Sequence, residues 1–223
     1  VNVLGLDTAT PTTTVALLAT DGRLQEQHDD IAAGERPRHS QELLALAAAL
    51  LERAALPWDA LDLVAVGIGP GGYTGLRIGI SSARGLARAT GARLVGVGTL
   101  RALAQPVAGR AVAAVLDARR GETFVAVHRD GEELLRPTVC RPQELAGLLL
   151  ALARPVLALG DGAVRYRQLL ESASIEIPPD DSPHHRVSAA AICRIAASGG
   201  GGDATPDYLR LADAEIALGA VSA

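Results

Sequence analysis

The chain has 223 residues, 48% of them hydrophobic and 2% aromatic, and a net charge of −4. That length supports one large domain or two smaller lobes with real cores, while the acidic balance and scarce rings argue against a strong grip on nucleic acid by this chain alone. All 21 basic residues are arginine, which excludes a lysine Schiff base and a lysine-containing phosphate loop.

In chain order, Val1–Asp7 reads as a buried strand ending in an acid, followed by a turn and a second strand over Thr14–Thr20. This start has no basic, apolar leader pattern, and later apolar runs stay below the ~20 residues of a membrane span, so a cytoplasmic protein is expected. Asp21-Gly22 is a hairpin signal, and residues 23–30 form the third strand. A helix from Ser40 to Ala55 leads to the strand LVAVGI and the turn Gly69-Pro70-Gly71. From Leu43 to Leu51 this helix is apolar all round. One lobe needs only a stripe of about 100°, so Leu43, Leu46 and Leu50 are candidates for a partner surface.

The stretch GIGPGGYTGLRIG then spends glycine freely where a strand meets a helix. A phosphate cradle, a tight turn and a closely packed helix face all remain open readings. Thr74 is a candidate N-cap. Gly75 and Gly79, four apart and followed by Ser82, would let a partner helix approach. Pro106 and Gly109 punctuate the chain between a first lobe, 1–106, and a second, less regular lobe, 107–223.

The second half repeats the first. Ala111–Asp117 is another strand ending in an acid, and a turn leads to a strand over Thr123–Arg129. The hairpin signal Asp130-Gly131 and the strand EELLRP come next. A helix over Pro142–Ala153, the strand PVLAL and the turn Gly160-Asp161-Gly162 complete the unit. Asp7 and Asp117 stand 110 residues apart, and Gly22 and Gly131 stand 109 apart. Duplicated β-β-β-α-β-α units imply an α/β protein of two similar lobes. Beyond them come a loop over Pro178–His185, a helix over Val187–Ser198 and a flexible joint at Gly199–Gly202.

An acid at a strand end beside a hairpin can face phosphate and magnesium, or it can simply cap its own turn. Asp7, Thr8, Gly71, Gly72, Asp117, Arg119, Gly160 and Gly162 are the candidates for a nucleotide cleft. His39 has Leu43 where a second ligand on the same helical face would stand, and Cys140 and Cys193 lie too far apart for a motif. No metal site, catalytic nucleophile or cofactor is expected.

The segments LGLDTAT, GPGGYTGLRIG, LDARRGETFVAV and PDYLR, in this order over nearly the whole chain, resemble the TsaB (YeaZ) family. The resemblance implies the two-lobed actin/Hsp70-like, ribonuclease H-like fold. It implies a noncatalytic subunit in forming N6-threonylcarbamoyladenosine at position 37 of ANN-decoding tRNAs. The implied partners are the catalytic TsaD, bound through N-terminal helices, and TsaE, with tRNA met only in the complex and self-pairing open when TsaD is absent. Catalytic relatives carry an HxxxH metal pair, whereas this chain has His39 and Leu43. ATPase relatives place glycine in the first phosphate hairpin, where this chain has Ala9. Arg119 and Arg120 crowd the second hairpin. The alternative is an ATP-binding enzyme or a metallopeptidase.

Overall fold

The structure, a computed structural model, describes residues 1–29, 31, 35–152 and 155–209. The ends of three expected elements, Asp30, Ala153 and Arg210 with the chain after it, lie outside the described residues.

Strands β1 (Val3–Asp7), β2 (Thr14–Leu18) and β3 (Leu24–His28) form a meander, followed by helix α1 (His39–Arg53). Strand β4 (Leu63–Gly67), helix α2 (Tyr73–Thr90) and strand β5 (Arg93–Val97) complete a sheet of order β3-β2-β1-β4-β5. β1 runs antiparallel to β2 and parallel to β4. Every residue of β1 and β4 is buried, as befits central strands covered on both faces.

A short helix α3 (Thr99–Ala104) leads to the second unit, β6 (Ala111–Arg119), β7 (Glu122–Arg129), β8 (Glu132–Cys140), helix α4 (Pro142–Ala151) and β9 (Val156–Leu159). Its order, β8-β7-β6-β9, repeats the first sheet without its last strand. That strand shrinks to a single parallel bridge, Leu157 to Glu176. Helices α5 (Asp161–Arg165), α6 (Arg167–Ser172) and α7 (Ala189–Ala197) complete the described elements. The duplication reaches backbone detail, for Gly69 and Gly160, each just beyond a parallel strand of its unit, share φ values of +106° and +107°.

The two sheets exchange helices. α3 comes after the first sheet yet packs on β6 and β7, and α7 comes after the second yet packs across β1, β2 and β4. Leu100 and Leu103 of α3 share one core with Ile192 of α7 and with Leu116, Phe124 and Leu159 of the second sheet. Gly5 makes the crossing close, because a Cβ there would lie 2.6 Å from the Ala189 carbonyl oxygen and 2.7 Å from Cys193 Sγ. Burial pushes the Cys193 thiol up to about 12. The sheets divide between β5 and β6, but α7 and the segment after it return to the first sheet.

Candidate functional site

A cleft of about 730 Å³ opens between the two units, bounded by the β1–β2 loop, the start of α2, the end of β6 and residues 207–209. Thr8, Gly71, Gly72, Asp117 and Arg119 line it, together with His39, Tyr73, Asp161 and Tyr208.

The first wall explains the glycines. Thr8 Oγ1 donates to the Gly75 carbonyl oxygen at 2.7 Å, and the Gly72 N–H donates to the Ala9 carbonyl oxygen at 2.7 Å. A Cβ on Gly71, Gly75 or Gly79 would collide with Ala9 or Thr8. The small face of α2 is therefore occupied by this chain's own loop, which corrects its assignment to a partner helix. A charge at Gly79 would break the fold rather than only an association. Gly72, not Thr74, is the N-cap, and no side chain caps the helix.

Asp7 does not line the cleft. One carboxylate oxygen accepts the Ala9 N–H at 2.9 Å and the other accepts from Thr99 Oγ1 at 3.1 Å. The Thr99 hydroxyl also accepts the Gly69 N–H at 3.1 Å. Gly67 packs so closely that a Cβ would overlap the carboxylate. Burial pushes Asp7 up to about 6 against these hydrogen bonds. The acid that could have faced a magnesium nucleotide is instead the bolt between loop, α3 and glycine turn.

Asp117 stands on the opposite wall. Its Oδ1 accepts the Arg119 N–H at 3.0 Å, and its Oδ2 lies 3.1 Å from Arg165 Nη1 and 3.6 Å from Arg119 Nη1. Asp161 Oδ1 accepts the Asp117 N–H at 3.0 Å, and burial raises the Asp161 carboxyl above its ordinary value. Gly160 and Gly162 do not line the cleft either. They let α5 lie against β6, and a Cβ on Gly162 would sit 2.8 Å from the Leu116 carbonyl carbon.

His39 opens α1 and is 6% exposed, with Nδ1 2.9 Å from Thr13 Oγ1. Burial lowers its pKa, against a smaller opposing effect of Asp29. Leu43, one turn on, is 1% exposed. Among the described residues no three His, Cys, Asp or Glu side chains gather as a metal site. His185 is structural, accepting the Gly160 N–H at 3.1 Å on Nδ1 and placing Nε2 3.2 Å from the Pro178 carbonyl oxygen.

The expected flexible joint is a strap. Gly202 bridges antiparallel to Gly96, and the Asp207 N–H donates to the Ile68 carbonyl oxygen at 2.7 Å. Tyr208 then packs on Tyr73 with ring centroids 5.0 Å apart. Gly201, with φ +113°, has no room for a Cβ, which would lie 2.7 Å from the Gly96 carbonyl oxygen. The glycine run serves close approach to β5, a contact that composition does not reveal.

The helix α1 divides its leucines. Leu43 and Leu50 are buried on β2 and α2, which corrects their place on a partner surface. Leu46 and Ser82 are half-buried, and Leu44 is the outward leucine at 49% exposure. Among the described residues no helix is long and apolar enough to cross a membrane.

Comparison with known proteins places this geometry. Residues 33–193 match the family model of TsaD, tRNA N6-adenosine threonylcarbamoyltransferase. The chain is similar to an uncharacterized Mycobacterium tuberculosis protein, 37% identical over 61% of this chain and 64% of that one. An uncharacterized Mycobacterium leprae protein is 36% identical, with 40% of its length matched, so the chain spans under two thirds of these relatives. Escherichia coli tRNA threonylcarbamoyladenosine biosynthesis protein TsaB is 35% identical over 65% of this chain and 68% of its own. The solved structure of YeaZ from Pseudomonas aeruginosa superposes with TM-score 0.74 at 29% identity, over 93% of this chain and 100% of that one. In fold alone the chain is similar to a Thermus thermophilus ROK hexokinase (TM-score 0.53, 13% identity, 88% of this chain and 100% of the other), with which it shares a two-lobed α/β architecture.

Proposed function

The chain belongs to the TsaB family, within the wider TsaD-type family, and from that premise we propose that it is a subunit of the machinery that forms N6-threonylcarbamoyladenosine at position 37 of ANN-decoding tRNAs. It binds and activates a catalytic TsaD-type subunit and does not itself carry the reaction. One observation supports the noncatalytic role above others. The side chain one helical turn after His39 is Leu43, sunk in the core, so the histidine pair expected of catalytic relatives has no second member.

The docking surface is the outward side of α1 with the adjoining edge of α2. Leu44, Leu46 and Ser82 are its available members from the apolar helix and the small-residue face. TsaE joins the same assembly, and tRNA is met only within it. The site of action is the cytoplasm.

Reconstitution with a TsaD-type subunit, TsaE, ATP, threonine, bicarbonate, the threonylcarbamoyl-adenylate-forming enzyme and tRNA tests the role. Modified tRNA is expected only when both this chain and the TsaD-type subunit are present. Product from this chain without the TsaD-type subunit, or undiminished product without this chain, overturns the reading. Leu44→Glu is expected to leave the unfolding midpoint unchanged and to weaken co-elution with the TsaD-type subunit by tenfold or more, roughly the loss of one buried leucine side chain.

A further inference from the structure

We propose that a second cavity, where the ends of α3 and α7 meet the β7–β8 hairpin, is a binding site for a small aliphatic carboxylate, held by Arg101, Arg194 and the imidazole of His128. This cavity measures about 380 Å³ and shares no lining residue with the interlobe cleft.

The observation that calls for a ligand is His128. The residue lines the cavity and is 7% exposed, yet its ring makes no hydrogen bond among the described residues. Nδ1 is sealed off without a partner, whereas Nε2 is not sealed. Burial holds the ring below its ordinary pKa; Glu133 opposes this and the charge of Arg101 reinforces it. A neutral imidazole carries one N–H and one bare lone pair. With the proton on Nε2 the ring has a donor for the cavity, and an unmet donor on so buried a residue is costly until an acceptor arrives.

The two arginines give that acceptor its charge. Arg101 and Arg194 line the cavity, and neither guanidinium has an ion pair or a hydrogen bond among the described residues. Arg110 and Arg165, by contrast, each meet a carboxylate. An arginine in the last turn of a helix ordinarily offsets that helix's own carbonyl groups. In α7 those carbonyls are already met by the chain itself. Ser198 N–H donates to the Arg194 carbonyl oxygen and Gly199 N–H to that of Ala196, both at 3.1 Å, and Gly200 N–H donates to that of Ile195 at 2.8 Å. Arg101 reaches across to this end of α7, since a Cβ on Gly200 would lie 3.1 Å from its Nη2.

Charge and shape select the class of anion. The acid in the wall is Asp130, whose Oδ1 accepts the Gly109 N–H at 2.7 Å. Two arginines against one aspartate leave one positive charge, which a carboxylate balances and sulfate exceeds. Ala104, Val107, Ala108 and Ile195 supply an apolar wall for a short aliphatic body. The inference does not depend on the role in tRNA modification.

The test is titration of the full chain at pH 7 with butyrate, butanol and sulfate, followed by heat and by the His128 ring nitrogen resonances. Butyrate is expected to saturate one site at about millimolar concentration, the range open to a ligand of so few atoms. Butanol, which lacks the charge, and sulfate are each expected to bind about tenfold more weakly or less. Arg194 is exposed, so Arg194→Gln is expected to keep the fold and to weaken butyrate about tenfold, the worth of one charge-assisted hydrogen bond. In the wild-type chain the Nε2 resonance is expected to move with butyrate and not with butanol, which decides the matter if the variant does not fold. Butanol binding as well as butyrate, an apolar hollow only, overturns the proposal. So does sulfate binding as tightly as butyrate, unaltered butyrate affinity in folded Arg194→Gln, or no saturation up to about 50 mM.

Discussion

Asp7 and Asp117 occupy the same place in the two halves. Each lies in the strand that pairs antiparallel with its hairpin neighbour, opposite Thr14 and Thr123 respectively, Asp7 as the last residue of β1 and Asp117 two residues before the end of β6. Each accepts the N–H of the residue two ahead, at 2.9 Å from Ala9 and 3.0 Å from Arg119. From there they part. Asp7 is sealed beneath Thr99 and Gly67, while Asp117 lines the cleft beside Arg165 and Arg119. The cause lies in the loop after each acid. Residues 8–13 are numerous enough to lie on α2, whereas Arg120-Gly121, with φ +53° and +77°, closes β6 to β7 as a two-residue turn that cannot reach so far. The same local turn chemistry thus becomes a structural bolt in one half and part of a cleft wall in the other.

The largest expected effect breaks the contact that makes the first half different. Gly75→Ala drives a Cβ into the Thr8 carbonyl and should cost about 3 kcal/mol or prevent folding. Urea unfolding checks it, and an unchanged midpoint would refute the packing of loop on helix.

Next is the pH response of Asp7. Its carboxyl sits at about 6 when folded against an ordinary 3.8. Below pH ~4 both states hold the proton and burial costs nothing. Between ~4 and ~6 the folded state alone holds it, so stability falls as pH rises, by up to ~3 kcal/mol. Asp7→Asn lacks this dependence. The wild-type minus variant stability should therefore drop between pH 4 and 7, and a flat difference would mean the acid is not sealed.

Asp117→Asn should do less, about 1 kcal/mol or under, because its arginine partners are 68% and 57% exposed and well screened. Smallest is Gly85→Ala on α2, where a Cβ meets nothing within 4 Å. A gain of about 0.5–1 kcal/mol is expected, seen as a raised thermal midpoint.

Much of the architecture was legible in the chain. The apolar runs of β1, β4, β6 and β9 and the Asp-Gly hairpin at 130–131, with φ +50° and +88°, read as strands and turns from local pattern. The site was only partly legible. Thr8, Gly71, Gly72, Asp117 and Arg119 reach the cleft, but the placing of His39 against Thr13 has no motif spacing to betray it. Tyr208 arrives through a glycine run that composition alone makes look like a joint.

Side-chain periodicity and turn residues determined from the sequence alone that two similar α/β units succeed one another, because strand alternation, helical spacing and backbone freedom at glycine are local properties. Only the tertiary structure decided that Leu43 turns inward while Leu44 faces out, that Gly75 and Gly79 receive this chain's own Thr8, and that α3 and α7 change sheets. A leucine on an all-apolar helix, or a glycine on a helix face, has no preferred side until a neighbour from a distant part of the chain fills one of them.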